Sequence, residues 1–150
     1  MADIVPAATR SRMMAGIKGK NTQPEIVMRR GLHQRGFRFR LHAKALPGRP
    51  DLVFARYRAV MFVNGCFWHG HLCRLFKWPK SRTQFWTDKI HANVARDVVN
   101  HARLKSSDWR VVTVWECALK GPGKLPIDKV LDTTSQSLQN VDPDLEIAGQ

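Results

Sequence analysis

The sequence predicts one α/β domain in which a mixed β-sheet is flanked by helices, and three observations carry that expectation. Residues Ala59 to Val63 (Ala-Val-Met-Phe-Val) are continuously apolar, the pattern of a strand covered on both faces. Residues Trp109 to Trp115 (Trp-Arg-Val-Val-Thr-Val-Trp) form a second run rich in β-branched and aromatic side chains. Between them, from Phe85 to about Lys105, the residues Trp86, Ile90, Val94, Val98 and Ala102 recur at helical spacing along one stripe of a long helix. Strand, helix, strand in that order predicts two parallel strands joined by a right-handed crossover. The 150 residues suffice for one core, burying roughly two-thirds of the surface that the unfolded chain exposes.

Charge narrows the partners. The 25 Lys and Arg against 12 Asp and Glu give a net charge of +13. Self-repulsion makes that imbalance costly unless a polyanion is the working partner, and nucleic acid is the leading one. The competing reading is a basic protein that is merely very soluble. Residues 1–120 hold 23 basic and 7 acidic side chains, and residues 121–150 hold 2 and 5, so the body carries the binding surface and the acidic tail does something else. Three cysteines, an odd number, argue against a secreted disulfide framework and suit metal-binding thiols in a reducing compartment. There is no run of ~18 apolar residues and no apolar signal-peptide core, so a cytosolic, non-membrane protein is expected.

The remaining elements follow in order. Residues 1–20 read as a basic arm. Lying along a DNA groove, such an arm would push Met14 or Met13 between base steps; an ordinary disordered terminus is the plainer reading. Thr22-Gln-Pro-Glu25 opens a helix: the Thr22 hydroxyl caps the Glu25 amide, Glu25 reaches back to Thr22, and Pro24 needs no amide partner in the first turn. This helix runs to about Arg35 and stops at Gly36, with Ile26, Val27, Met28 and Leu32 toward a core and Arg29, Arg30 and Arg35 free to face phosphates. Phe37-Arg-Phe-Arg-Leu41 alternates with period two, a half-buried strand with a cationic face. Leu46-Pro-Gly-Arg-Pro50 turns into a strand at Asp51–Phe54, and Tyr57-Arg58 turns into the apolar strand at 59–63. Arg74 to Arg82 is a basic, aromatic loop. After the break at Gly121-Pro-Gly123, a short helix is predicted near Ile127–Leu138, with a frayed end from Asp142. The domain plan is thus an arm at 1–20, a core at 21–120, and a C-terminal helix with acidic tail at 121–150.

Two groups of residues carry chemistry. Asp51, behind Pro50 in an Arg-rich stretch, is either a turn-capping Asp or an oxygen ligand for Mg²⁺ beside substrate phosphate oxygens, as in metal-dependent nucleases. The stretch Phe62-Val-Asn-Gly-Cys-Phe-Trp-His-Gly-His-Leu-Cys73 follows the apolar strand. Cys66, His71, Cys73 and the remote Cys117 supply the Cys₃His set of a tetrahedral structural zinc. The alternatives are three unconnected buried thiols, or His69 in place of His71. If His71 takes the metal, His69 is left to act as acid or base near neutral pH. Trp86, beside the basic loop, is positioned to stack on a base.

Leu46-Pro-Gly-Arg-Pro-Asp51, Gly65-Cys-Phe-Trp-His-Gly-His-Leu-Cys73, Arg82-Thr-Gln-Phe-Trp86 with Lys89, Asn93, Arg96 and Asp97, and Trp115-Glu-Cys117 together resemble the very short patch repair (Vsr) mismatch endonucleases, from about residue 9 to 120. The resemblance implies a PD-(D/E)xK nuclease-like (restriction-endonuclease-like) fold. It also implies a strand-specific nick 5′ to the thymine of a T:G mismatch, the lesion left when 5-methylcytosine deaminates. On the same basis Asp51 and the Val63 carbonyl would hold catalytic Mg²⁺, His69 would activate water, Glu25 would be an acidic helper, and Cys66, His71, Cys73 and Cys117 would hold structural Zn²⁺. Phe67, Trp68 and Trp86 would enter the DNA beside the mismatch, Met14 would enter from the opposite side, and Lys89 would sit near the mismatched bases. A monomer acting in the bacterial cytoplasm on double-stranded DNA, with repair proteins as further partners, is implied.

Position 64 departs from the family pattern. The family usually has His there, and some members have Thr at 63; Asn64 cannot carry a proton as imidazole does, which predicts retuned or reduced activity. Two other function classes compete: a zinc-stabilised module that binds distorted duplex without cutting, and a restriction-type nuclease on matched DNA. A carboxylate facing phosphates at Asp51 is useless to a pure binder, and the aromatic wedge is unnecessary to a nuclease of matched duplex.

Overall fold

In the computed structural model, which describes residues 21–140 and 143–150, the strands form one five-stranded sheet in the order β1-β2-β3-β4-β5. Its strands are β1 (Arg40–Leu41), β2 (Leu52–Phe54), β3 (Ala59–Asn64), β4 (Arg110–Trp115) and β5 (Leu145–Ile147). β1, β2 and β3 pair antiparallel, whereas β3, β4 and β5 pair parallel, so the sheet is mixed. The parallel pair predicted around the long helix is present: Ala59 to Asn64 run in register with Arg110 to Trp115.

Alternation along the strands divides the core between two faces. Leu52, Phe54, Ala59, Met61, Val112 and Val114 point one way, into a large core closed by α1 (Gln23–Gln34) and α4 (Ile127–Gln139). Met28 and Leu32 of α1 and Val130, Leu131 and Leu138 of α4 complete it. Gly31 lets the two helices approach, because a β-carbon there would stand 2.5 Å from Leu131 Cδ1. Val53, Val60, Phe62 and Val111 point the other way, into a smaller cluster with Leu104 of α2 (Thr83–Ser106).

Several sequence expectations are corrected here. The stripe on α2 is not core: Ile90 and Leu104 are buried, while Val94 and Val98 are exposed, Val98 at 63%. The middle of this 24-residue helix faces Val111, Thr113 and Trp115 of β4 and Leu145 of β5 across a cleft rather than packing on them. β1 is only two residues long, although Phe37 and Phe39 do face the core, edge-on to Phe54. Glu25 accepts from the amide of Asn21 at 3.1 Å rather than from that of Thr22, while Thr22 caps Glu25 as expected. Arg29 is bonded to Glu25, and Arg35 is paired with Asp128 and Asp132 of α4, so neither is a free phosphate-facing cation.

Against the expectation of a frayed end, residues 143–150 include a strand of the sheet. β5 pairs with β4 through Leu145, Glu146 and Ile147, and Asp144 Oδ1 accepts the Val111 amide at 2.9 Å. Asp144 also pairs with Lys105, and Glu146 accepts from Trp115 Nε1 at 2.7 Å. Acidic residues of the tail therefore tie the last strand to the basic body. Arg110 donates to the Ser137 and Leu138 carbonyls, neutralising the negative end of the α4 dipole.

Candidate active site and metal centre

The end of β3 organises the site. Asp51 precedes β2, which runs antiparallel to β3, and the Val63 amide donates to Asp51 Oδ2 at 2.7 Å. Burial raises the Asp51 carboxyl to about 6; the Val63 amide opposes that rise, Glu25 adds to it, and His42 and His69 offset it. Glu25, only 1% exposed, comes from α1, and its Oε2 lies 2.8 Å from His42 Nε2 and 2.9 Å from Arg29 Nη1. Glu25, His42 and Asp51 offer ligand atoms all within 4.8 Å of one another, a donor set that fits a hard divalent cation through its carboxylates.

His69 lies beyond β3, in the loop predicted to carry chemistry. Its Nδ1 is 2.6 Å from Asp97 Oδ2 of α2, which fixes the ring and leaves Nε2 for a substrate or water. Both side chains are about 30% exposed, at 29% and 30%, so the pair is reachable from solvent. They line a cleft of about 330 Å³ between α2 and the sheet, together with Asn64, His101, Thr113 and Trp115. The exposed middle of α2 is one wall of that cleft, which explains why its Val94 and Val98 are not buried. Asn64 itself is 6% exposed, at the last residue of β3.

Cys66, His71, Cys73 and Cys117 converge as the spacing predicted, their ligand atoms all within 4.8 Å of one another and none of the thiols in a disulfide. Each sulfur accepts a main-chain amide: Cys66 from Cys117 at 3.4 Å, Cys73 from Leu75 at 3.4 Å, and Cys117 from Gly149 at 3.2 Å. Such amide bonds orient thiolates around a metal and spread their charge. Burial raises the Cys66 and Cys117 thiols and lowers His71, which favours a neutral imidazole with a lone pair free for a metal; a bound cation would displace the thiol protons to solvent. Trp115 stacks on His71 at 4.2 Å and 11°, locking the ring. The set fits a tetrahedral ion with soft ligands.

The loop between Cys66 and His71 also contributes to an aromatic cluster. Phe67 packs edge-on to Trp68 at 5.1 Å and meets Trp86 at 5.5 Å, and Trp68 meets Trp86 at 5.7 Å. All three are half-buried, and Asn93 holds the loop by donating to the Trp68 carbonyl at 2.9 Å. Lys89 lies on α2 one turn from Trp86. Met14 lies outside the described residues.

Residues 2–75 match the family described as DNA mismatch endonuclease Vsr. Over 125 residues the chain is 49% identical to the DNA mismatch endonuclease Vsr of Escherichia coli (strain K12), covering 83% of this chain and 80% of that protein. The chain belongs to the Vsr family. It is also 50% identical to the type II nicking enzyme V.XorIIP of Xanthomonas oryzae pv. oryzae, covering 83% of this chain and 92% of the relative. It is 43% identical to the type II nicking enzyme V.NmeAIP of Neisseria meningitidis serogroup A, covering 80% and 86%.

Within this Vsr chain, sequence reasoning left three site residues without a role. His42 has a backbone φ of +50° in the turn before Asp51, where nothing in the local pattern marks a functional side chain. Asp97 was visible only as part of a family motif, since a lone Asp on a helix is usually a solvated residue. The Gly149 amide at Cys117 is a main-chain group, which leaves no signature in sequence.

Proposed function

We propose that this chain nicks double-stranded DNA 5′ to the thymine of T:G mismatches arising from 5-methylcytosine deamination, as a bacterial repair enzyme with a PD-(D/E)xK-like catalytic core. The observation that carries this reading is the neighbourhood of three parts: the Asp51–Glu25 carboxylates, the His69–Asp97 pair and the Phe67–Trp68–Trp86 cluster. A binding module would need only the last of these.

Asp51 and the Val63 carbonyl would hold Mg²⁺ in this reading. When bound, the ion polarises the scissile phosphate and favours attack by water. His69 takes the proton of the attacking water, with Asp97 holding the ring in the required tautomer, and Glu25 is a second carboxylate beside Asp51, whose orientation the Val63 amide sets. Asn64 adds a hydrogen bond to the phosphate rather than a proton transfer. Phe67, Trp68 and Trp86 enter the stack beside the mismatch, with Met14 from the other side and Lys89 near the bases; a wobble pair is already poorly stacked, so opening the step there costs less than in matched duplex. Cys66, His71, Cys73 and Cys117 would hold structural Zn²⁺ and thereby fix the loop that carries Phe67 to His69.

The enzyme acts as a monomer, and the net charge of +13 draws it to the phosphate backbone. Incubation with end-labelled matched, T:G and C:A duplexes, in Mg²⁺ or EDTA, tests the proposal. Nicking of the T:G duplex alone, on the thymine strand and in Mg²⁺ only, is the expected result. Equal nicking of all three duplexes would place the chain with nucleases of matched DNA.

A further inference from the structure

Resting on the placement of a divalent cation at Asp51, we propose that His42 is a nitrogen donor in that same centre, which makes it a mixed oxygen and nitrogen site that takes Mn²⁺ in preference to Mg²⁺. The ligand atoms of Glu25, His42 and Asp51 already lie within 4.8 Å of one another. His42 Nε2 stands 2.8 Å from Glu25 Oε2. Neighbouring ligands of an octahedral ion at about 2.1 Å are separated by about 3 Å, so the two atoms need little movement to share one ion once Nε2 has released to solvent, or passed to Nδ1, the proton it donates to Glu25.

The backbone points to the same role. His42 has φ +50°, a conformation that side-chain-bearing residues seldom adopt, and its amide donates to the Asp51 carbonyl at 3.0 Å. This strained turn carries the imidazole from the edge of β1 into a pocket whose other members are two carboxylates. Strain of that kind, of order 1–3 kcal/mol, accumulates where a side chain must be aimed. Arg29 offsets one of the two negative charges and anchors Glu25, which leaves a cation to offset the other. Carboxylates alone suit Mg²⁺; an imidazole beside them shifts preference toward first-row transition cations, because affinity for nitrogen rises along that series and Mg²⁺ favours oxygen.

The test measures Mg²⁺ and Mn²⁺ binding to the full chain, with its cysteine cluster left loaded, by calorimetry, and reads nitrogen coupling to bound Mn²⁺ by pulsed EPR. The variant is His42→Asn, whose side chain tolerates the left-handed backbone and lacks the imidazole; a thermal melt checks its fold. Wild type is expected to show imidazole nitrogen coupling that His42→Asn abolishes, with Mn²⁺ affinity falling roughly tenfold or more and Mg²⁺ affinity little changed. Coupling that survives in His42→Asn but disappears in His69→Asn would overturn the assignment, as would equal loss of both metals in His42→Asn. Asp51→Asn separates the two layers. If it leaves both affinities intact, the underlying placement at Asp51 fails; if it removes both while His42→Asn changes neither, only the role of His42 fails.

Discussion

At the scale of single residues, Asp51 shows how a buried carboxylate costs stability. Its carboxyl is raised from 3.8 to about 6 mainly by burial, so the folded protein holds that proton more tightly than the unfolded chain does. The associated stability is fully present below about pH 4 and is lost as pH rises through 6. The charged form at pH 8 therefore costs the metal-free protein on the order of 3 kcal/mol. Asp51→Asn, which still accepts the Val63 amide, should stabilise the metal-free protein by about that much at pH 8 and by little at pH 4, measured by urea unfolding. A pH-independent difference would show that burial is not the cause. His69 gives a second prediction at this scale: Asp97→Asn should slow single-turnover nicking by about 10²-fold while leaving duplex affinity unchanged, because the ring loses the partner that fixes it. Asn64→His, which supplies a titratable group at the end of β3, should raise the nicking rate and add a pH dependence near neutrality.

At the scale of elements, α2 divides into a part that holds the fold and a part that forms a wall. Ile90, 1% exposed, packs against the loop at Gly70, where a β-carbon would stand 2.9 Å from Ile90 Cγ2 and 2.8 Å from Val94 Cγ2. Ile90→Ala should cost about 2–5 kcal/mol by calorimetry, and Val98→Lys should stay within about 0.5 kcal/mol. Gly70 also has φ +64°, so Gly70→Ala is strained twice and should loosen the loop carrying His69, lowering nicking more than it lowers the melting temperature. The helix was legible from its period, but its exposed middle was not. Period four reports which residues share a stripe, but not whether the sheet packs against that stripe or leaves a cleft beside it, as it does at Val94 and Val98. β3 and β4 were legible because their apolar, β-branched runs are too short for a buried helix and too apolar for a surface loop. β5 was not, since Leu145-Glu-Ile147 is short and its pairing depends on the side chains of Asp144 and Glu146 reaching Val111 and Trp115. The cysteine cluster was legible because metal-binding residue types are scarce and crowded, whereas His42 resembled any turn residue.

At the scale of the molecule, the cysteine cluster joins the loop after β3 to the short helix α3 (Glu116–Leu119), which begins where β4 ends, and to the C-terminal Gly149. Three chain segments thus meet at one point. Removing the ion with a strong chelator should lower the unfolding midpoint and release the Phe67–Trp68 loop, seen as a change in tryptophan fluorescence; rebinding should release protons from the thiols into a weakly buffered solution. An unchanged midpoint would mean that the cluster holds no structural ion. The charge of +13 predicts duplex binding that weakens steeply between 50 and 200 mM salt, whereas discrimination of a T:G from a T:A duplex, proposed to come from stacking, should change little. In the proposed mechanism hydrolysis depends on Asp51 and recognition does not. Single-turnover nicking and gel-shift binding of wild type and Asp51→Ala on one end-labelled T:G duplex in Mg²⁺ separate the two. The predicted result is unchanged or tighter binding with nicking abolished; nicking by Asp51→Ala at the wild-type rate would contradict it.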